Sequence, residues 1–476
     1  MAMARLLEKS SGWISRRLQK RVPYNATNTF LQGAFAPLPS EHTETELKVH
    51  GTIPSELKGV LARIGPNPLH VDNPATYHWF LGDGMVHGLR LQDGQALWYR
   101  NRFIGSDSVN KAKGLPRAPG PRRGVADVVN TNIIGHGGRL WALVEAGPYP
   151  VELDNTLNTV KHGLFDSDMD TSFTAHPHTD AETGEMHAIC YNGLQHNRVN
   201  YLVVDKNSKI TKKIGIPVKH GPMMHDCAMT KKYMVIFDLP VTFSVKSALG
   251  GASLPYTWNP NHPARVGLLP RESKNANDIR WFNIDPCFVF HSCNAFDQDD
   301  GSVVVDVVAY ERMFDRSTQG PENSNGAFER WTMAAVSSSL QNKVQRKVLS
   351  SERQEFPRCD ERRTGKPYRH AYVIGVDDLD KPSANVLYHH DLHTGETMRH
   401  TYGDNQFTGE VVFVPRHADA AENDGWLLSY VHDLNGGNSR VVILDAANVA
   451  SAALAEIELP VRVPLGFHGN WIADVL

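Results

Sequence analysis

The sequence predicts an all-β chain, and a closed β-propeller accounts for the spacing of its strands. Three observations carry this. From about residue 45 onward, short apolar runs alternate with Gly, Asp, Asn and Pro turns; few stretches suit a long helix; and hairpins recur from near residue 80 to the C-terminus. Radial repetition would leave only short, protected strand edges around a central channel. The internal repeats are weak and irregular, so a sandwich or two stacked barrels also fits the pattern.

Residues 1–40 read as an N-terminal extension. The opening MAMARLLEKSSGWISRRLQKRV suits a short amphipathic helix with Leu6, Trp13, Ile14 and Leu18 toward one side. Such a helix is either a surface element or frayed tail, or a point of peripheral membrane contact. It has basic residues but no apolar core or small-residue cleavage site, so it does not read as a secretory signal. Residues 41–476 read as one propeller body, because no low-complexity linker divides them.

Within that body the expected strands follow in order. MVHGLRLQ and QALWYRNRF flank Asp93-Gly94, and RLWALVEAG follows Gly137-Gly138. Then come MHAICYNG after DAETGE, YMVIFDLP after TKK, VVVDVVAY after DDGS, NVLYHHDL before TGETMRHTY, and WLLSYVHDL before SRVVILDA. Asp-Gly and Thr-Gly-Glu units are the punctuation of hairpins. Residues 106–124 and 241–275 read as long excursions from the β-body, and long ordered loops usually serve binding or gating.

Composition removes several function classes. With 476 residues, 41% of them hydrophobic, the chain can bury a large core. Its 49 basic and 52 acidic residues leave a net charge of -3, too balanced to draw in nucleic acid or anionic lipid through a global field. No apolar run is long enough for a transmembrane helix. Five cysteines (Cys190, Cys227, Cys287, Cys293 and Cys359) form no CxxC pair, which argues for a reducing compartment and against a disulfide scaffold or a thiolate metal site. With no export signal, the expected location is cytoplasmic, and no obligate protein partner is implied.

Four places put histidine beside an apolar strand or a tight turn: TAHPHTD, MMHDCAMT, FVFHSCNAF and GFHGNW, carrying His176, His225, His291 and His468. Their intervals of 49, 66 and 177 residues are far too wide for a helical or zinc-finger pattern. In a propeller they are natural, because the inner end of every blade approaches the axis. Imidazole suits iron, zinc, copper and nickel, and the spacing does not choose among them. Four neutral ligands leave a dication uncompensated, so carboxylates are needed behind them. Glu145, Glu355 and Glu410 each lie in an apolar context where an unpaired charge is costly.

Together these pieces resemble the carotenoid cleavage oxygenase family, as a bacterial-type member. That family includes the retinal pigment epithelium isomerase, plant carotenoid dioxygenases, and bacterial apocarotenoid and stilbene oxygenases. The matching stretches are RIGPNP, YHWFLGDGMVHG, YRNRF, NTNIIGHGGRLWALVEAG, TAHPH, MMHD, HSCNAFD, GEVVFVPR and GFHGNW, in the family's order and over nearly the whole chain. The resemblance implies a seven-bladed β-propeller with one Fe2+ on its axis, held by His176, His225, His291 and His468. It implies that Glu145, Glu355 and Glu410 support those ligands, that His178 is not a ligand, and that His87, His136 and His432 are structural or line the substrate path. One departure is Leu81, where the family commonly has an acidic residue, and this points to an altered substrate entrance.

The implied reaction is cleavage of a carbon-carbon double bond of a carotenoid or apocarotenoid by O2, giving two carbonyl products, with no protein acid or base assigned. A polyene needs a long apolar tunnel. Phe80, Phe103, Trp281, Phe296, Tyr310, Phe407 and Phe467 are candidate walls, with core packing as the alternative for each. Val245, Leu249, Leu254, Tyr256 and Trp258 could form an apolar entrance at a membrane. The runner-up substrate is a stilbene or another phenylpropanoid alkene. The stilbene-cleaving branch has a lysine near the iron where this chain has Val144, so Val144 and Phe103 favour the polyene, while Lys111 in the first excursion could reverse that. A third reading, a nonenzymatic binding platform, is opposed by the complete histidine set.

Overall fold

The computed structural model describes residues 2–322, 325–335, 342–376 and 385–473, with side chains from residue 10 onward. Seven antiparallel sheets form the blades of a β-propeller. The innermost strands of blades 2 to 6 are Asn132–His136, His178–Thr179, Cys227–Met229, Phe288–Asp297 and Gln354–Arg358. Each is followed outward by three more strands of its own blade.

Both ends of the chain close the ring. Near the C-terminus, Gly469–Ala473 pairs with Gly59–Pro66 as the inner strand of blade 1. Near the N-terminus, Val49–Gly51 pairs with Ala455–Glu458 as the outer strand of blade 7, whose inner positions are Gln406–Thr408 and Val412–Pro415. Between these two blades Leu61, Leu89 and Tyr99 pack against Trp426, Leu428 and Tyr430. The Tyr430 hydroxyl donates to the Leu61 carbonyl at 3.0 Å. Closure thus depends on contacts between residues hundreds of positions apart.

Burial follows position in the blade. Phe288–Asp297, covered by a blade on each face, is buried at all but its last residue, whereas the outer strand Ile210–Pro217 alternates. Covered strands read as continuous apolar runs and half-covered strands as alternations. The turns form as their residues dictate: Asp93 and Gly94 have φ of 50° and 75°, and Gly137 and Gly138 have 58° and 71°. Two successive positive φ values make the turn whose twist suits a two-residue hairpin.

The two excursions differ in kind. Residues 106–124 contain the helix Asp107–Ala112, capped by Ser106 Oγ, and tie back through Arg117 and Arg122 to Asp107 and Asp127. The stretch 241–275 is shorter than expected as an excursion. Val241–Phe243 pairs with Tyr256–Trp258 around a small helix, Val245–Leu249, but Arg265–Pro270 is the third strand of blade 4. Its apolar run RVGLLP lies between Pro-rich and polar flanks that made the whole segment look like a loop.

The N-terminal segment is helical over Ala2–Gln19 and meets the small helix, with Gln19 Nε2 donating to Ser253 Oγ at 3.2 Å. Trp13 and Ile14 are exposed and Leu18 is half-buried; the Leu6 side chain lies outside the described residues. No helix among the described residues is long and apolar enough to cross a membrane.

Candidate metal centre

Each blade brings one residue to a common point at the axis. His468 precedes the inner strand of blade 1, His176 and His225 stand two residues before those of blades 3 and 4, and His291 lies within that of blade 5. Glu145, Glu355 and Glu410 come from blades 2, 6 and 7. The local backbone is irregular where these side chains turn inward. The ladder of blade 5 shifts register between Val289 and Ser292, and that of blade 6 between Glu355 and Arg358. Ala146 and Phe356, each directly after a glutamate, hold φ of 65° and 53°. Left-handed backbone at a phenylalanine is strained, and such irregularities re-aim side chains near functional sites.

The four histidines are buried, and one ring nitrogen from each lies within 4.8 Å of the others. Three rings are held from behind. Nδ1 of His225 is 3.0 Å from Glu145 Oε1, Nδ1 of His291 is 2.6 Å from Glu355 Oε2, and Nδ1 of His468 is 3.1 Å from Glu410 Oε1. A carboxylate only accepts, so each Nδ1 carries the proton and each Nε2 lone pair is free. His176 differs: its Nε2 is buried with no hydrogen-bond partner, and no carboxylate among the described residues bonds its ring. Burial, then the charge its histidine neighbours would carry, holds His176 well below the ordinary histidine value.

A metal ion fits this arrangement. An orphaned, buried ring nitrogen is costly unless something ligates it. Two nitrogens about 2.1 Å from one ion, at tetrahedral or octahedral angles, stand about 3.0 to 3.4 Å apart, and Nε2 of His225 and His291 are 3.3 Å apart. Three carboxylates stand directly behind the ligand rings, and Arg358 lies 3.2 Å from Glu410, so acidic groups are in place to offset the charge of a dication. Burial pushes the Glu410 carboxyl up, but Arg358 and then His468 hold it well below the usual carboxylate range. At His291, burial pulls down while the Glu355 charge pulls up, and Glu355 prevails.

An apolar cavity ends on this cluster. Its walls include Phe80, Tyr310, Phe407 and Phe467, together with Val144, which sits beside Glu145. Leu81, 43% exposed, marks the end nearest solvent, and Leu254 of the second excursion also reaches it. Three expected wall residues are elsewhere. Phe103 packs with Met85 and Val109, Trp281 lies under Arg265 on the outer strand of blade 4, and Phe296 packs near Tyr368 and Arg330. Lys111 is exposed and, among the described residues, no lysine lines the cavity.

The remaining histidines have ordinary partners. His87 bonds Tyr99, His136 the Asp205 carbonyl, His432 Ser439, and His178 Asp226. Several site residues escaped the sequence reading. Phe290, directly before His291, packs edge-on against His225 at 5.2 Å, and Trp79 lies in the same motif as Phe80; adjacency was the available signal. Arg358 stands three residues after Glu355, with nothing in the sequence to mark its pairing with Glu410. Phe35, from the N-terminal extension, gave no signal at all.

Comparisons with known proteins agree with this geometry. The profile of the family described as retinal pigment epithelial membrane protein matches residues 35–473. A carotenoid cleavage oxygenase of Mycobacterium tuberculosis is 40% identical, over 93% of this chain and 97% of its own. The carotenoid 9,10(9',10')-cleavage dioxygenase 1 of Arabidopsis thaliana is 32% identical, over 94% and 90%. Among solved structures, the Pseudomonas brassicacearum lignostilbene dioxygenase superposes with a TM-score of 0.84 at 28% identity, covering 95% of this chain and all (100%) of its own. Cobalt-substituted Synechocystis apocarotenoid oxygenase gives 0.81 at 25%, covering 92% and 97%. Seven blades, one inward residue from each and a matching family profile lead to one assignment: the chain belongs to the carotenoid cleavage oxygenase family, that of the retinal pigment epithelial membrane protein.

Proposed function

We propose that the chain holds one ferrous ion on His176, His225, His291 and His468 and cleaves a double bond of a carotenoid or apocarotenoid with O2, giving two carbonyl products. The observation that carries this reading is the apolar, aromatic cavity that ends on His225, His291 and His468 of the four-histidine cluster. When bound, iron supplies the oxygen chemistry that no side chain can.

The chain's own residues position and exclude. Glu145, Glu355 and Glu410 fix the ring tautomers so that the Nε2 lone pairs converge. Phe80 stands edge-on to Phe290 and Phe467, with centroids at 6.2 and 5.5 Å, making a rigid aromatic wall for a flat polyene. Holding the alkene beside the metal supplies effective concentration, and the apolar walls keep competing water out. Tyr310 hydrogen-bonds Glu355 at 3.0 Å, and burial, then the Glu355 charge, keeps its phenol protonated.

A hydrophobic substrate has to come from a lipid phase. Trp13, Ile14, Val245 and Leu249 are exposed on two helices that touch, near the segment that sends Leu254 into the cavity. This supports peripheral contact with a membrane surface at the entrance.

The second reading, cleavage of a stilbene, is favoured by the likeness to the lignostilbene dioxygenase and by Tyr191, which lines the cavity. Val144 opposes it, because a phenolic substrate calls for a polar or ammonium group there. The deciding experiment presents iron-loaded protein in parallel with β-apo-8'-carotenal and a 4-hydroxystilbene and measures product masses. Aldehydes from the polyene support the first reading; cleavage of the stilbene alone supports the second.

A further inference from the structure

The histidine cluster is reached by a second cavity, which leaves along the axis in the other direction. Thr131 walls the apolar cavity, whereas Asn132, Ile134 and the Gly137-Gly138 turn, further along the same inner strand, wall the second. His291 and His468 line both cavities, and His176 lines this second one. Its lining carries a larger share of polar groups than the aromatic first cavity, among them His178, Asp226, Ser292, Arg358 and Arg362.

Outside the four-histidine set, three potential ligands cluster at the wall of this second cavity: His178 and Asp226 line it, and the buried Cys227, whose Sγ lies 3.8 Å from the His176 carbonyl, stands beside them. One ligand atom each of His178, Asp226 and Cys227 lies within 4.8 Å of the others. His178 Nε2 is 3.1 Å from Asp226 Oδ1, and both residues line the cavity. Each stands one or two positions beyond a proposed iron ligand, His176 or His225. Nitrogen, carboxylate oxygen and sulfur together suit divalent first-row metals.

Resting on the four-histidine reading above, we infer that a ferrous ion enters along this axial channel and pauses on His178, Asp226 and Cys227 before passing to the four histidines. The alternative route is less favourable: a hydrated dication would have to shed its water along walls that are mainly apolar, among them Phe80, Phe407 and Phe467. The channel offers replacement ligands instead. Arg358 and Arg362 also wall it, but Arg358 is paired with Glu410 and Glu361, and Arg362 with Asp360.

The station holds metal only in passing. Asp226 already accepts from Ser292 N–H at 2.7 Å, Ser292 Oγ–H at 2.8 Å and Cys227 N–H at 2.7 Å. A metal there competes with these bonds and displaces the thiol proton to water in the channel. Nothing comparable opposes binding at the orphaned Nε2 of His176.

Cobalt(II) tests this, because a cysteine ligand gives a thiolate-to-cobalt charge-transfer band that an all-imidazole site lacks. Metal-free full-length protein is mixed with substoichiometric cobalt(II) in a stopped-flow spectrometer, and final occupancy is measured by elemental analysis. The expected result is an early thiolate band that decays as the four-histidine site fills. Cys227→Ser abolishes the band, and Cys227→Ser and His178→Gln each slow filling at least tenfold while reaching wild-type occupancy, which also shows that they fold. Filling at equal rates in all three proteins without a thiolate band overturns the station and leaves the four-histidine reading intact. A wild-type protein that never fills overturns both.

Discussion

His291 and Glu355 are joined by a 2.6 Å hydrogen bond, and the other carboxylate oxygen takes the Tyr310 hydroxyl at 3.0 Å. The ring is therefore aimed by a carboxylate that is itself anchored. In Glu355→Gln the amide oxygen still accepts from Nδ1, so the ring keeps its direction while the negative charge is lost. The expected effect is a fall in ferrous affinity of about 10- to 100-fold, read by competition with a calibrated chelator, with thermal stability little changed.

Phe290 places a ring against His225 and another edge against Phe80. Phe290→Ala should leave metal occupancy unchanged and lower kcat/KM for the polyene by about two orders of magnitude, the scale expected when a substrate is misplaced by about 1 Å. Elemental analysis beside steady-state kinetics separates positioning from metal loss.

Val144 is buried in the cavity wall next to Glu145. Val144→Lys puts an ammonium group where an apolar chain would lie, so polyene turnover should fall at least tenfold while turnover of a 4-hydroxystilbene rises or is retained. The ratio of the two rates in one preparation checks this.

Buried neutral histidines make the fold acid-sensitive. Burial pushes His78 and His87 down to about 3 and His389 and His390 down to about 4. Above the unfolded value near 6.5 neither state is protonated and these groups contribute nothing. As pH falls below 6.5 the unfolded chain takes up protons that the native one refuses, so stability is lost at about 1.4 kcal/mol per pH unit for each such histidine. Urea midpoints should therefore drop steadily from pH 7 to pH 4.5, and His87→Gln should lessen the slope.

The ring closure can be weakened by one residue. Leu428, fully buried between blades 7 and 1, should cost about 2 to 5 kcal/mol as Leu428→Ala, measured by denaturant unfolding.

The hairpins could be read from the sequence because turns such as Asp93-Gly94 and Gly137-Gly138 demand residues that tolerate positive φ. The number of blades could not be counted from pattern alone, since the repeats are weak and the inner strands are very short. His178–Thr179 has two residues and Cys227–Met229 three, too few to show any period. Site residues were legible through family motifs, and wall residues only where nearness in sequence matched nearness to the axis. Each strand outward adds about 4.8 Å and each residue along a strand about 3.3 Å. Trp281 is on an outer strand, and Phe296 lies five residues beyond His291 on its strand, so both are carried away from the metal. Phe290 is adjacent to His291 and stays near it.

The most direct test of the central claim is a turnover of iron-loaded protein with β-apo-8'-carotenal under oxygen-18 gas in ordinary water, with the carbonyl products reduced as they form and weighed by mass spectrometry. The account predicts two fragments, each carrying one labelled oxygen. An intact polyene despite full iron occupancy, or one that is isomerised or hydroxylated without being cut, would contradict it.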